Sequence, residues 1–152
     1  MDLLDFNTQR EAWIYYTLSD ASRFKFKLVL TQVVKSRSQV NDVGQPIYYS
    51  RAQSLFALVS FSEALRKPPS TGNITKKRLS KSAEQQVTFN LESGQDVWNI
   101  YHLEDGTVLR IMPIVENVVR TKLRGGAGEP IYVIGSKQDS RWEVPNNLVK
   151  KR

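Results

Sequence analysis

The sequence predicts an all-β protein of two homologous halves, each a meander of four or five strands, packed as tandem small barrels or as one pseudo-twofold barrel or sandwich. Three observations carry that expectation. First, residues 13–35 and 98–120 align without a gap at a displacement of 85, and six of the 23 pairs are identical: Trp13/Trp98, Tyr16/Tyr101, Leu18/Leu103, Asp20/Asp105, Val33/Val118 and Val34/Val119. Self-similarity on this scale governs how every local signal is read. Second, Arg23, Lys25 and Lys27 alternate with Phe24, Phe26, Leu28 and Leu30, the period of two that gives a strand one basic and one apolar face. Third, β-branched and aromatic residues dominate throughout and no stretch carries a helical stripe.

Each half reads as the same series of elements. A short segment (residues 3–6 or 86–91), with Leu4-Asp5-Phe6 set against Phe89-Asn90-Leu91 at the same displacement, leads into a Trp-initiated strand at 13–18 or 97–103. The second half then has Glu104-Asp105-Gly106, a hairpin signal because Gly tolerates the positive φ that the turn needs; the first has Ser19-Asp20-Ala21-Ser22, so a different or more strained turn is expected. In the following strand Pro113 stands where the first half has Leu28. Proline donates no ladder hydrogen bond, which predicts a sheet edge, bulge or bend there. The apolar pattern changes phase around Val29 and Val33-Val34, as at Ile114-Val115 and Val118-Val119, and strands of this length bend or bulge.

The register resumes at 84 where GQPIY at 44–48 meets GEPIY at 128–132. Pro46 and Pro130 are placed to open the next strands, and the loops before them, 38–43 and 123–127, differ in length as surface connections do. The halves end in strands at 55–61 and 141–144, with short helical turns expected at 61–66 and 146–150. We divide the chain into a first β half (1–67), a basic Pro/Ser/Lys-rich connector (68–83) and a second β half (84–152). The connector is expected to be extended at Pro68-Pro69 and mobile beyond, and is long enough for halves that sit side by side or interlock. A unit of about 65 residues is marginal for a core of its own. Two halves sharing one core, descended from a homodimer and exchanging hairpins, satisfy that constraint.

Composition removes several classes of function. The chain has no cysteine, hence no disulfide, thiolate metal site, Cys nucleophile or iron–sulfur ligation. Apolar content of 40% with 24% charged residues argues against wholesale disorder. No apolar run reaches the roughly 18 residues that span a bilayer, and the opening MDLLDFNTQREAW has acids where a signal peptide needs bases. A soluble, cytoplasmic protein without a membrane partner is expected, so Asn73-Ile74-Thr75 is not read as a glycosylation acceptor. The sole histidine, His102, falls on a strand opposite Thr17 and reads as a surface residue; Glu104 is near it only in sequence. Gly125-Gly126-Ala127-Gly128 lacks the Gly-Lys-Ser/Thr ending and the following helix of a phosphate loop and reads as a hairpin loop. We therefore expect no enzyme, no cofactor and no metal.

The net charge of +7 is uneven: residues 1–67 hold nine Lys/Arg against six Asp/Glu, residues 68–83 four against none, and residues 84–152 nine of each. Arg23, Lys25 and Lys27 on one strand face, followed by Lys35 and Arg37, with Lys76, Lys77, Arg78 and Lys81 in the connector, form a set of spaced cations suited to phosphate. Tyr15, Tyr16, Tyr48 and Tyr49 are available for base stacking. These residues predict a noncatalytic nucleic-acid-binding accessory protein for DNA or RNA, although a solvated strand face and a soluble linker would have the same composition. The second half repeats the basic face poorly, with Val108 for Arg23 and Met112 for Lys27, which assigns the halves different tasks. Trp13 and Trp98 read as core anchors; Trp142, without a counterpart, reads as a contact residue. The alternative is an assembly protein, such as a viral structural component or an adaptor, meeting a protein partner or itself through edge strands and Trp142.

Overall fold

The computed structural model describes residues 1–150 and is all-β, with two antiparallel five-stranded sheets. The strands are β1 (Asp2–Leu4), β2 (Phe6–Arg10), β3 (Ile14–Leu18), β4 (Arg23–Val40), β5 (Pro46–Ser60), β6 (Ala83–Gln86), β7 (Phe89–Leu91), β8 (Asn99–Leu103), β9 (Val108–Arg124) and β10 (Pro130–Glu143). In the first sheet β4 is flanked by β5 on one side and by β1 and β3 on the other, with β7 outside β3; in the second, β9 is flanked by β10 and by β6 and β8, with β2 outside β8. Neither sheet closes on itself. Each contains a strand from the other half of the chain: β2 pairs with β8 and β7 pairs with β3.

The two longest strands explain how so little chain builds two cores. β4 has 18 residues and β9 has 17, beyond the 3 to 10 usual for a strand. β4 is interrupted against β5 between Leu30 and Gln32, leaving Thr31 unpaired; β9 is interrupted against β10 between Val115 and Asn117, leaving Glu116 unpaired. An extra residue exchanges the two faces of a strand. Burial accordingly passes from Phe24, Phe26, Leu28 and Leu30 to Val33 in one strand, and from Leu109, Ile111 and Val115 to Val118 in the other. These are the bulges the change of phase predicts. Pro113 pairs with Gln138 of β10, but on its other side β8 ends at Ile111 and β6 begins at Val119. The missing N–H of proline therefore falls where β9 is locally an edge.

One core joins Ile14, Tyr16, Leu18, Phe24 and Phe26 to Val87, Val115, Val118 and Tyr132; the other joins Leu28, Leu30, Val33 and Tyr48 to Tyr101, Leu103, Leu109 and Ile111. Both halves of the chain supply each core. Side chains as fully enclosed as Phe24, Val118, Leu109 and Ile111 contribute about 1.5–3 kcal/mol each.

Several details correct or sharpen the reading of the sequence. In the segment before the first tryptophan the displacement is 83, not 85: Phe6 lies opposite Leu103 as Phe89 lies opposite Leu18, and Asn7 opposite His102 as Asn90 opposite Thr17. The two extra residues of the second half fall between Leu91 and Trp98, in a stretch too polar to fix an alignment. At the first hairpin Leu18 N bonds Ser22 O and Ala21 N bonds Leu18 O; at the second Leu103 N bonds Thr107 O and Gly106 N bonds Leu103 O. The turns match, and Ala21 holds φ +66° where Gly106 holds +91°, which is the strain expected of alanine there. The stretches expected as closing strands are the ends of β5 and β10, and 3-10 turns occupy Glu63–Leu65 and Asn146–Leu148.

The connector differs most from expectation. It contains a helix, α1 (Lys76–Lys81), whose N-cap Thr75 accepts a hydrogen bond from Arg78 N. Its start is pinned to the loop after β9, with Lys67 N bonded to Gly128 O at 3.2 Å, Ser70 N to Arg124 O at 3.1 Å, and the enclosed Arg124 guanidinium to Leu65 O at 2.8 Å.

Candidate nucleic-acid interface

In β3 the buried side chains are Ile14, Tyr16 and Leu18, so the alternation turns Trp13, Tyr15 and Thr17 to the outer face. Tyr15 lies opposite Lys25 and Thr17 opposite Arg23. On that face the Lys25 ammonium stands 4.5 Å and the Lys27 ammonium 5.7 Å from the Trp13 ring, while the Arg23 guanidinium stands 4.4 Å from the Tyr15 ring. Trp13 is thus not a core anchor. It is a half-buried surface ring covered by cations, and the parity of Ile14, Tyr16 and Leu18 was the signal that could have placed it.

Arg23 makes a bidentate pair with Glu92, at 2.7 and 2.9 Å. That contact holds Arg23 above and Glu92 below their ordinary pKa values. Among the described residues no carboxylate lies within ion-pair distance of Lys25 or Lys27. The face around Trp13 therefore carries three cations and one acid.

The matching face of the second sheet is neutral. Arg10, Ile100, Arg110 and Arg141 form a row across β2, β8, β9 and β10, and the Arg141 guanidinium lies 4.9 Å from the Trp98 ring. Each of the three arginines has its own acid: Arg10 with Asp96 at 3.5 Å, Arg110 with Glu143 at 2.7 Å, Arg141 with Asp139 at 3.6 Å. Trp98 too is a half-buried surface ring rather than a core anchor.

The remaining cations of the sequence set do not join this face. Arg37 pairs with Asp2 at 2.6 Å, and Arg78 is occupied by the carbonyls of Thr71 and Asn73. Lys76, Lys77 and Lys81 are exposed on α1. Lys35 is half-buried, its side chain 20% exposed and its ammonium 2.9 Å from Asp105. Of the four tyrosines, Tyr16 and Tyr48 are core residues, Tyr15 is half-buried on the cationic face and Tyr49 is exposed on β5. Trp142 stacks on Tyr48 with ring centroids 5.0 Å apart and packs against the second core, so it is not a free contact residue. His102 bonds Gln9 on the exposed side of β8.

Lys35 and Tyr48 belong to a buried polar cluster that the sequence did not reveal. Tyr48 Oη donates to Asp105 Oδ2 at 2.7 Å and lies 2.9 Å from Thr107 Oγ1, and Lys35 Nζ donates to the same carboxylate oxygen. Across the molecule Tyr132 Oη donates to Asp20 Oδ2 at 2.7 Å and lies 2.9 Å from Ser22 Oγ, while Arg120 donates to Asp20 at 3.0 Å and to Glu84 at 3.1 Å. In both clusters the tyrosine of one half reaches the aspartate of the other. Burial alone would raise Asp20, but hydrogen bonds from Tyr132, Ser22 and Arg120 outweigh it and hold the carboxyl below its usual range. Asp105 is lowered in the same way by Tyr48, Thr107 and Lys35. Burial, with the charge of Asp105 beside it, pushes Tyr48 up to about 12. The identity of Asp20/Asp105 and Tyr48/Tyr132 was the available signal, but it could not tell a turn residue from a cross-half latch.

The chain matches no protein-family model, no curated protein and no solved structure. No helix among the described residues is long and apolar enough to cross a membrane.

Proposed function

We propose that this chain is an internally duplicated unit in a pseudo-twofold arrangement whose two outer faces have diverged, and that it is a noncatalytic nucleic-acid-binding protein acting through the face around Trp13. The observation that carries this reading is the contrast in charge compensation. Lys25 and Lys27 lie on Trp13 without an acid, whereas every arginine around Trp98 has one. A cation without a local acid is free to neutralise a phosphate and release its counterion. Half-exposed aromatic rings between such cations suit bases, whose π faces stack with little regard to sequence. Lys76, Lys77 and Lys81 of α1 are a secondary set that adds charge without stacking.

Titration of fluorescently labelled single- and double-stranded DNA and RNA at two salt concentrations tests the proposal. Binding through three to five phosphates of a single strand gives a slope of about −2 to −3.5 in log affinity against log salt. Absence of affinity at low salt removes the proposal.

A second reading, protein assembly, has one specific observation in its favour. Among the described residues the outer edge of β5 has no partner strand along its 15 residues, carries Arg51 as its only charge, and exposes Tyr49, Leu55 and Val59. Long edges with so little charge invite another strand. Sedimentation over a range of protein concentrations tests it, and a persistent monomer that co-purifies with nothing counts against it.

A further inference from the structure

Resting on the nucleic-acid reading, we propose that the ligand of this face is an extended single strand, and that Lys25 and Lys27 cover the ring of Trp13 until a base replaces them and each ammonium passes to a phosphate. Two features of the face carry this. Arg23, Lys25 and Lys27 project from one strand at every second residue, which spaces their Cα atoms by roughly 6.7 Å. Successive phosphates of one strand lie about as far apart as these residues whether or not the bases are stacked, because a duplex strand winds around the axis while it rises only about 3.4 Å per base pair. The row therefore matches the backbone interval of either form, and the preference for a single strand comes from the Trp13 ring, which only an unpaired base can cover.

The second feature is the occupied ring. The Lys25 ammonium at 4.5 Å and the Lys27 ammonium at 5.7 Å sit over the surface a base would use. A lysine over an exposed ring is held more weakly than a stacked base, and its four-carbon stem lets the ammonium swing without moving the backbone. The exchange loses two ring contacts and gains one stack and two phosphate contacts. The equivalent ring, Trp98, is covered by Arg141, which is itself paired with Asp139; that ring stays covered.

The test follows tryptophan emission and label anisotropy together as an oligo(dT) strand, a duplex of equal length and heparin are added at low salt to the wild type and to Trp13→Phe. Anisotropy reports binding, and the difference in emission between the two proteins reports Trp13. The proposal expects oligo(dT) to bind most tightly and to change the Trp13 emission, and duplex and heparin to bind more weakly without that change. Trp13→Ala should weaken oligo(dT) roughly 5- to 150-fold, the range spanned by one stacked base. In the absence of ligand, Lys25→Gln with Lys27→Gln should shift the Trp13 emission of the free protein. Oligo(dT) binding that leaves Trp13 emission unchanged, or a duplex that binds as tightly as the single strand, overturns the exchange while leaving nucleic-acid binding in place. Failure of all three polyanions to bind overturns both.

Discussion

Asp20 and Asp105 show how single residues tie this molecule together. Each is nearly enclosed, each accepts a hydrogen bond from a tyrosine of the opposite half, and each has a cation beside it. Removing the phenolic hydroxyl leaves a buried carboxylate short of a donor, so Tyr132→Phe or Tyr48→Phe should cost about 1–3 kcal/mol in chemical denaturation. Both aspartates are held below their unfolded pKa of about 3.9, so their contribution is complete above that value and is lost as the pH falls through the folded one. Tyr48 is shifted the other way, up to about 12. Its contribution is complete below the unfolded value near 10 and is lost as the pH rises from about 10 towards 12. Denaturation midpoints against pH should thus fall at both ends, and Asp105→Asn should flatten the acid side; an unchanged acid side would contradict the assignment. Ala21 supplies a gain in stability. A left-handed residue with a Cβ costs about 1–2 kcal/mol, against roughly 0.5–1 for the extra chain entropy of glycine. Ala21→Gly should therefore stabilise by about 0.5–1 kcal/mol, seen as a higher melting temperature.

At the scale of the elements, the long bulged strands decide the architecture. β4 and β9 each serve both cores, and the extra residues Thr31 and Glu116 keep the buried side inward beyond them, so that Leu30 and Val33 share one core and Val115 and Val118 the other. Deleting Thr31 would turn Val33 and the residues after it to the wrong face, and the deletion variant should lose its cooperative thermal transition, whereas Thr31→Ala should retain it. This much was legible beforehand, because a change of hydrophobic phase inside a strand has few physical causes. The single-residue alternation of β4 and the turn chemistry of Ala21 and Gly106 were legible for the same reason: each depends on residues adjacent in sequence. What escaped depends on partners distant in sequence. The polar clusters join residues about 60 to 110 positions apart, and the α1 cap on Thr75 competes with a composition that otherwise resembles a loose linker. Recurrence alone points the tryptophans to a core, whereas strand parity sets them outside. The cationic row was read from sequence, but its compensation by Glu92, Asp105 and Asp2 could be seen only in the fold.

Across the whole molecule, neither half holds a complete core, since each cluster draws on both. Fragments cut within the connector, 1–74 and 75–152, should each lack a cooperative transition alone and regain one when mixed, as circular dichroism melts would show. The same interlocking places two outer faces on one molecule, one with cations that lack acids and the other with each arginine paired. The most direct measurement of that difference compares Lys25→Glu/Lys27→Glu with Arg110→Glu/Arg141→Glu, each of which removes four units of the net charge of +7 and leaves +3. Binding of oligo(dT) at one low salt concentration, with folding checked by circular dichroism, should be abolished by the first pair and reduced only modestly by the second. Equal losses in the two variants would mean that overall charge, not the Trp13 face, attracts the strand, and would contradict the account.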